Sequence, residues 1–124
     1  MLIDENWNVK LGDFGFARIK QENCAMTRCG TPCYTAPEII KGEKYDESVD
    51  IYSFGMILWE LLTRMKPYEG QNFMATTMDV LKGIRPAIPP KTPSEYAKIV
   101  KKCNVESCKQ SLNGCALVAR WQNT

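Results

Sequence analysis

Histidine is absent from the 124 residues, and no C-x-x-C pair occurs among the six cysteines. A structural zinc site therefore has no ligand set of the usual spacing. The cysteines could instead frame disulfides, but no secretory signal precedes them, so reduced thiols in a cytoplasmic chain are the expectation. Long apolar runs are lacking too. Asp50 and Glu60 interrupt the longest one, so no stretch approaches the ~20 residues needed to cross a bilayer. Neither sign of charge dominates: Lys and Arg number 16 against 14 Asp and Glu, a net charge of +2. That balance calls for neither a nucleic acid nor an anionic membrane as partner. At 14.1 kDa the chain has room for one modest hydrophobic core.

What is present is a stretch that opens on Asp13-Phe14-Gly15 and closes on Ala36-Pro37-Glu38. An acid followed by an aromatic and a glycine puts a charge on backbone that can swing, while Phe14 needs an apolar place to dock. That arrangement suits a gated Mg2+ ligand. Residues 19–35 show no helical or strand period and form a loop longer than most connections in compact domains, which favours a functional role. Thr27, Thr31 and Thr35 lie along it, and Gly30-Thr31-Pro32 comes just before the closing motif. In this order and spacing the motifs resemble the activation segment of a eukaryotic protein kinase, in which D-F-G and A-P-E bracket a phosphosite.

The resemblance implies roles residue by residue. Asp13 would hold Mg2+ against the phosphates of ATP, and the Thr31 hydroxyl would steady the acceptor site beside the catalytic aspartate. Thr27 stands where many serine/threonine kinases are phosphorylated, with Arg18 as one partner for the phosphate. Glu38 would pair with an arginine far along the chain, and Asp50 would hold the backbone of the catalytic loop. Gly30-Thr31 together with Ser53-Phe54-Gly55 and Leu58-Trp59-Glu60-Leu61 resembles the tyrosine-kinase-like group of serine/threonine kinases. The family's glycine-rich loop, strand lysine with its glutamate partner, and catalytic-loop aspartate have no counterpart within residues 1–124. Cys29 and Cys33 are read as inert small hydrophobes.

The remaining stretches are legible from pattern. Met1-Leu2-Ile3 and Val9-Lys10-Leu11, with Asp4, Asn6 and Asn8 between them, predict a hairpin. Asp46 is a candidate N-cap for a helix reaching Thr63, and that helix is apolar all round, which predicts a buried core axis. After Lys66-Pro67-Tyr68-Glu69-Gly70, Phe73, Met74, Thr77, Met78 and Leu81 recur at helical spacing. Pro86, Pro89, Pro90 and Pro93 enforce an extended connection. Ser94 is read as the cap of a last helix, with Tyr96, Ile99 and Val100 inward and Lys98, Lys101 and Lys102 in water.

The expected fold is mainly α: a partial protein-kinase C-lobe with a short β-hairpin at the N-terminus. Residues 1–102 would form that partial domain. Residues 103–124 form a divergent tail, because Asn104 follows Cys103 where the family continues with tryptophan, and Lys109-Gln110-Ser111 stands where the arginine partner of Glu38 should fall. The resemblance implies ATP- and Mg2+-dependent phosphoryl transfer to serine or threonine of a protein substrate, with neither nucleic acid nor membrane as partner, and weak ATP binding by this chain alone. The rival readings are a non-catalytic binding fragment and a degraded gene product.

Overall fold

The computed structural model describes residues 1–12 and 32–104. Leu2–Ile3 (β1) and Val9–Lys10 (β2) pair antiparallel, with Leu2 opposite Lys10 and Ile3 opposite Val9, as the hairpin pattern predicts. Asp4 organises the turn. Its Oδ1 accepts the N–H groups of Asn6 and Asn8, each at 2.9 Å, and its Oδ2 accepts from Asn8 Nδ2 at 3.1 Å and pairs with Lys10 Nζ at 3.2 Å. A short carboxylate bonding backbone two residues on is the Asx-turn chemistry of such sequences. These bonds, chiefly those from Asn8, hold the Asp4 carboxyl below the usual carboxylate range.

Helix α1, Pro37–Lys41, starts on a proline whose missing N–H costs nothing in the first turn. It stops at Gly42, which takes the left-handed conformation (φ 73°) and returns its N–H to Ile39 O at 3.1 Å. Helix α2 is Ser48–Thr63. Asp46 lies one residue further out than the N-cap position expected of it. Glu47 occupies that position with helical dihedrals and no side-chain capping bond, while Asp46 Oδ1 accepts the Ser48 N–H at 3.0 Å. The chain from 46 to 49 is already wound as a tight turn, with Val49 N–H on Asp46 O, so the carboxylate works from the turn's far end.

Burial on α2 is one-sided, which corrects the expectation of a helix buried all round. Val49, Tyr52, Met56 and Trp59, three or four residues apart, form the buried stripe, whereas Phe54 and Leu61 are exposed. Composition cannot show which sides of a helix are covered. Here the described cover comes from residues 34–39 and from a later helix.

Asn72 caps α3, Phe73–Leu81, by accepting the Ala75 N–H on Oδ1 at 2.8 Å. The helix forms where the spacing places it, but Thr76 and Val80 are its buried residues, and Phe73, Met74 and Met78 are exposed. The proline-rich connection is pinned from two sides, by Tyr68 OH donating to Ile84 O at 2.8 Å and Trp59 Nε1 donating to Ala87 O at 2.9 Å. Helix α4 is Ser94–Cys103, and Ser94 is its first residue rather than its cap. Pro93 sits at the cap with extended backbone and no side-chain bond, because its ring already presets the entry. Val100 and Cys103 are buried, Tyr96 OH donates to Leu58 O of α2 at 2.8 Å, and Lys98, Lys101 and Lys102 are exposed as expected. Helix α4 packs on α2, and α1 on α3.

Arg85 ties these helices together. Its Nε donates to Asn104 O at 3.0 Å, and its Nη1 to Val80 O at 3.0 Å and Ile84 O at 3.1 Å, so one guanidinium serves carbonyls near the ends of α3 and α4. It also lies 5.1 Å from the centre of the Tyr52 ring on α2, within cation–π range.

Candidate functional site

Asp13, Thr27 and Thr31, with Arg18, lie outside the described residues. The described part of the site is the turn at residues 33–35 that follows them and leads into α1. It is gripped twice by α2. Tyr34 OH donates to Glu60 Oε2 at 2.6 Å, and the main-chain oxygen of Tyr34 accepts from Ser53 Oγ at 2.7 Å. Ser53 and Glu60 are seven residues apart, two helical turns, so they stand on one face and hold the turn along the helix axis. The bond to Glu60 is a charge-assisted O–H···O⁻ bond of the strong, short kind. Desolvation first, then the bond and charge of Glu60, push the Tyr34 hydroxyl above its ordinary range, so it stays a protonated donor.

Below the turn lies the core. Ala36, Val49, Tyr52 and Met56 cluster there, with Tyr34, Ile39, Tyr45 and Tyr68 packed against them. Thr35, Ala36, Pro37 and Glu38 are all buried, so the chain leaves the turn with little freedom. Burial also pushes the Cys33 thiol up, which disfavours its thiolate and agrees with an inert cysteine.

Glu38 is 4% exposed, and its Oε2 has no hydrogen-bond partner among the described residues. The Tyr52 hydroxyl is likewise buried and makes no hydrogen bond of ordinary geometry among the described residues, although the Tyr68 hydroxyl is its neighbour. Residues 105–124, which hold Lys109 and Arg120, are not among the described residues. A buried charge lacking a partner is costly, and replacing it by an uncharged isostere relieves that cost. Glu38→Gln is therefore expected to raise stability by about 1 kcal/mol in urea denaturation. A loss of stability would show that the carboxylate has a charged partner.

Asp50, at the start of α2, is exposed, and no described residue gives its carboxylate a hydrogen bond or ion pair. Desolvation, and secondarily the charge of Glu47, raise its pKa. Tyr34, Ser53 and Glu60 were not singled out as functional by pattern, although one signal for them existed. Glu60 is an acid inside an otherwise apolar helical run, two turns from a serine. Among the described residues no three His, Cys, Asp or Glu side chains are grouped to hold a metal ion, and no helix is long and apolar enough to cross a membrane.

Comparison with known proteins adds to this geometry. The family model described as "Protein kinase domain" matches residues 1–119. A protein of Acanthamoeba polyphaga mimivirus that bears the name serine/threonine-protein kinase/receptor is 62% identical over 103 residues, which cover 83% of this chain and 6% of that protein. A second mimivirus protein of the same name is 58% identical over 103 residues, with the same two coverages. A Dictyostelium discoideum protein named as a serine/threonine-protein kinase is 44% identical over 111 residues, 89% of this chain and 16% of that protein. The chain thus spans a small part of the length of the relatives it matches.

Proposed function

The chain belongs to the protein kinase family, and we propose that it supplies the activation segment and the first C-lobe helices of a serine/threonine kinase. In this reading Asp13 holds Mg2+ and Thr31 steadies the acceptor hydroxyl. When bound, Mg2+ held by Asp13 would supply charge stabilisation to the phosphates of ATP. Phosphate on Thr27 would add about −1.5 to −2 charge, which Arg18 and further arginines can order. The observation that carries the reading is the double grip of Ser53 and Glu60 on Tyr34, two residues after Pro32. Phosphoryl transfer to a protein depends on positioning, and a loop presenting the acceptor must be held still relative to the catalytic groups.

The work of each residue follows. The α2 stripe provides a rigid rail, and Tyr34 fixes the turn to it. The buried run Thr35–Glu38 stops the turn from sliding into α1. Protein substrate and ATP are the partners this implies. The test joins the chain to the N-terminal part of the kinase domain of the Dictyostelium relative and assays Mg2+-ATP-dependent labelling of protein substrates. Label on serine and threonine is expected, and Asp13→Ala is expected to reduce the rate by about 100-fold or more, as removal of a transition-state charge stabiliser does. Transfer that is indifferent to Asp13→Ala would refute the assignment.

A further inference from the structure

We infer that Ser53 is a positioning residue that sets the backbone of the acceptor loop, and through it the binding of the protein substrate. The two bonds that grip Tyr34 do different work. The bond to Glu60 tethers a side chain, which leaves the peptide plane behind it free to rotate. The bond from Ser53 Oγ, at 2.7 Å, is to the Tyr34 carbonyl and holds that plane directly. Ser53 also lies 3.2 Å from Val49 O, the ordinary back-bond of a serine within a helix. A hydroxyl has one proton to donate, and the shorter contact is the one that crosses to the loop.

The held carbonyl is close to the origin of α1. Ala36 O, two residues on, accepts the N–H groups of Ile39 at 3.1 Å and Ile40 at 3.3 Å. Those two amides therefore report whether the loop stays seated. Alanine at position 53 is a better helix former than serine, so Ser53→Ala removes the cross-bond without weakening α2 itself. Thr63 provides an internal control. Its Oγ1 makes the same back-bond, to Trp59 O at 3.0 Å, and among the described residues otherwise accepts only the nearby Met65 N–H.

The inference rests on the proposed reading of the turn at residues 33–35 as part of the loop that presents the acceptor, and the test separates the two. Amide hydrogen exchange is measured on the 124-residue chain and its variants. Ser53→Ala is expected to speed exchange at Ile39 and Ile40 by about three- to tenfold, the loss of one net hydrogen bond, while Ala97 on α4 and Asn104 at its C-terminal cap stay unchanged. Ser53→Thr, which keeps the hydroxyl, should restore protection, and Thr63→Ala should leave Ile39 and Ile40 alone. Loss of fold in Ser53→Ala with Ser53→Thr folded would support the same conclusion, since alanine favours the helix. Unchanged exchange at Ile39 and Ile40, or equal acceleration across α4, would overturn it. In the joined kinase, Ser53→Ala should raise the KM for a peptide acceptor and leave the KM for ATP unmoved. If exchange responds and the peptide KM does not, the bond stands and the acceptor-loop reading fails.

Discussion

The 124-residue chain, purified alone and incubated with radiolabelled Mg2+-ATP and generic protein substrates, is expected to transfer no phosphate above background, and Asp13→Ala is expected to change nothing. Phosphoryl transfer leaves little covalent chemistry to the protein and relies on placement and on stabilising charge. In the family those tasks belong to the glycine-rich loop, the strand lysine and the catalytic-loop aspartate, none of which has a counterpart within residues 1–124. In the role proposed for it, Asp13 alone would be a weak Mg2+ site, because that ion keeps its waters and shares its ligands between one or two carboxylates and substrate phosphates. Asp46 and Asp50 are not expected to serve as the base. Asp46 Oδ1 is engaged by the Ser48 N–H, and Asp50 stands at the start of α2, each at a helix entrance. Labelling that Asp13→Ala abolishes would overturn this expectation and reveal a complete site within the chain.

Gly55→Ala is expected to lower stability by about 2 kcal/mol, against a total of about 5 to 15 kcal/mol for a domain. In an exposed helix the same change would stabilise by about 1 kcal/mol, because glycine is the poorer helix former. The sign reverses at Gly55 because α4 crosses there. A Cβ on Gly55 would meet Cys103 Cβ at 2.5 Å and would collide with Asn104 Oδ1. Neither atom is the far end of a long side chain, so α4 has to move. That motion pulls on the Tyr96–Leu58 bond and on the Arg85 bond to Asn104 O. Urea denaturation followed by far-UV circular dichroism measures the loss. Adding Asn104→Ala should recover part of it, since residues in direct contact couple by about 0.5 to 3 kcal/mol. A single variant as stable as the parent would show that the helices do not approach this closely.

Much of the fold was legible in the sequence, where local chemistry decides the outcome. The hairpin could be read because Asp4 and the asparagines around it satisfy their own turn, with bonds that span only two to four residues. The existence of α3 could be read from its periodicity. The family could be read because its motifs are short and contiguous. Helix entrances were less legible. Asp46 and Ser94 are both good capping residues, yet the first acts from one position further out and the second lies inside its helix, because the dihedrals of Glu47 and Pro93 had already set the entry.

By itself, the sequence determined the family, the order of elements and the residues of the motifs, since each is carried by neighbours in the chain. Only the tertiary structure decided which faces are covered. The apolar composition of α2 is compatible with burial on every side, but its described cover lies on one, and Phe54 and Leu61 are left exposed. The pairing of Tyr34 with Ser53 and Glu60 was also a tertiary matter, because those bonds join residues 19 and 26 positions apart. No local pattern encodes such a contact. It forms because α2 and the turn are packed on one core, which brings a helix face with a hydroxyl and a carboxylate two turns apart against a backbone carbonyl and a phenol.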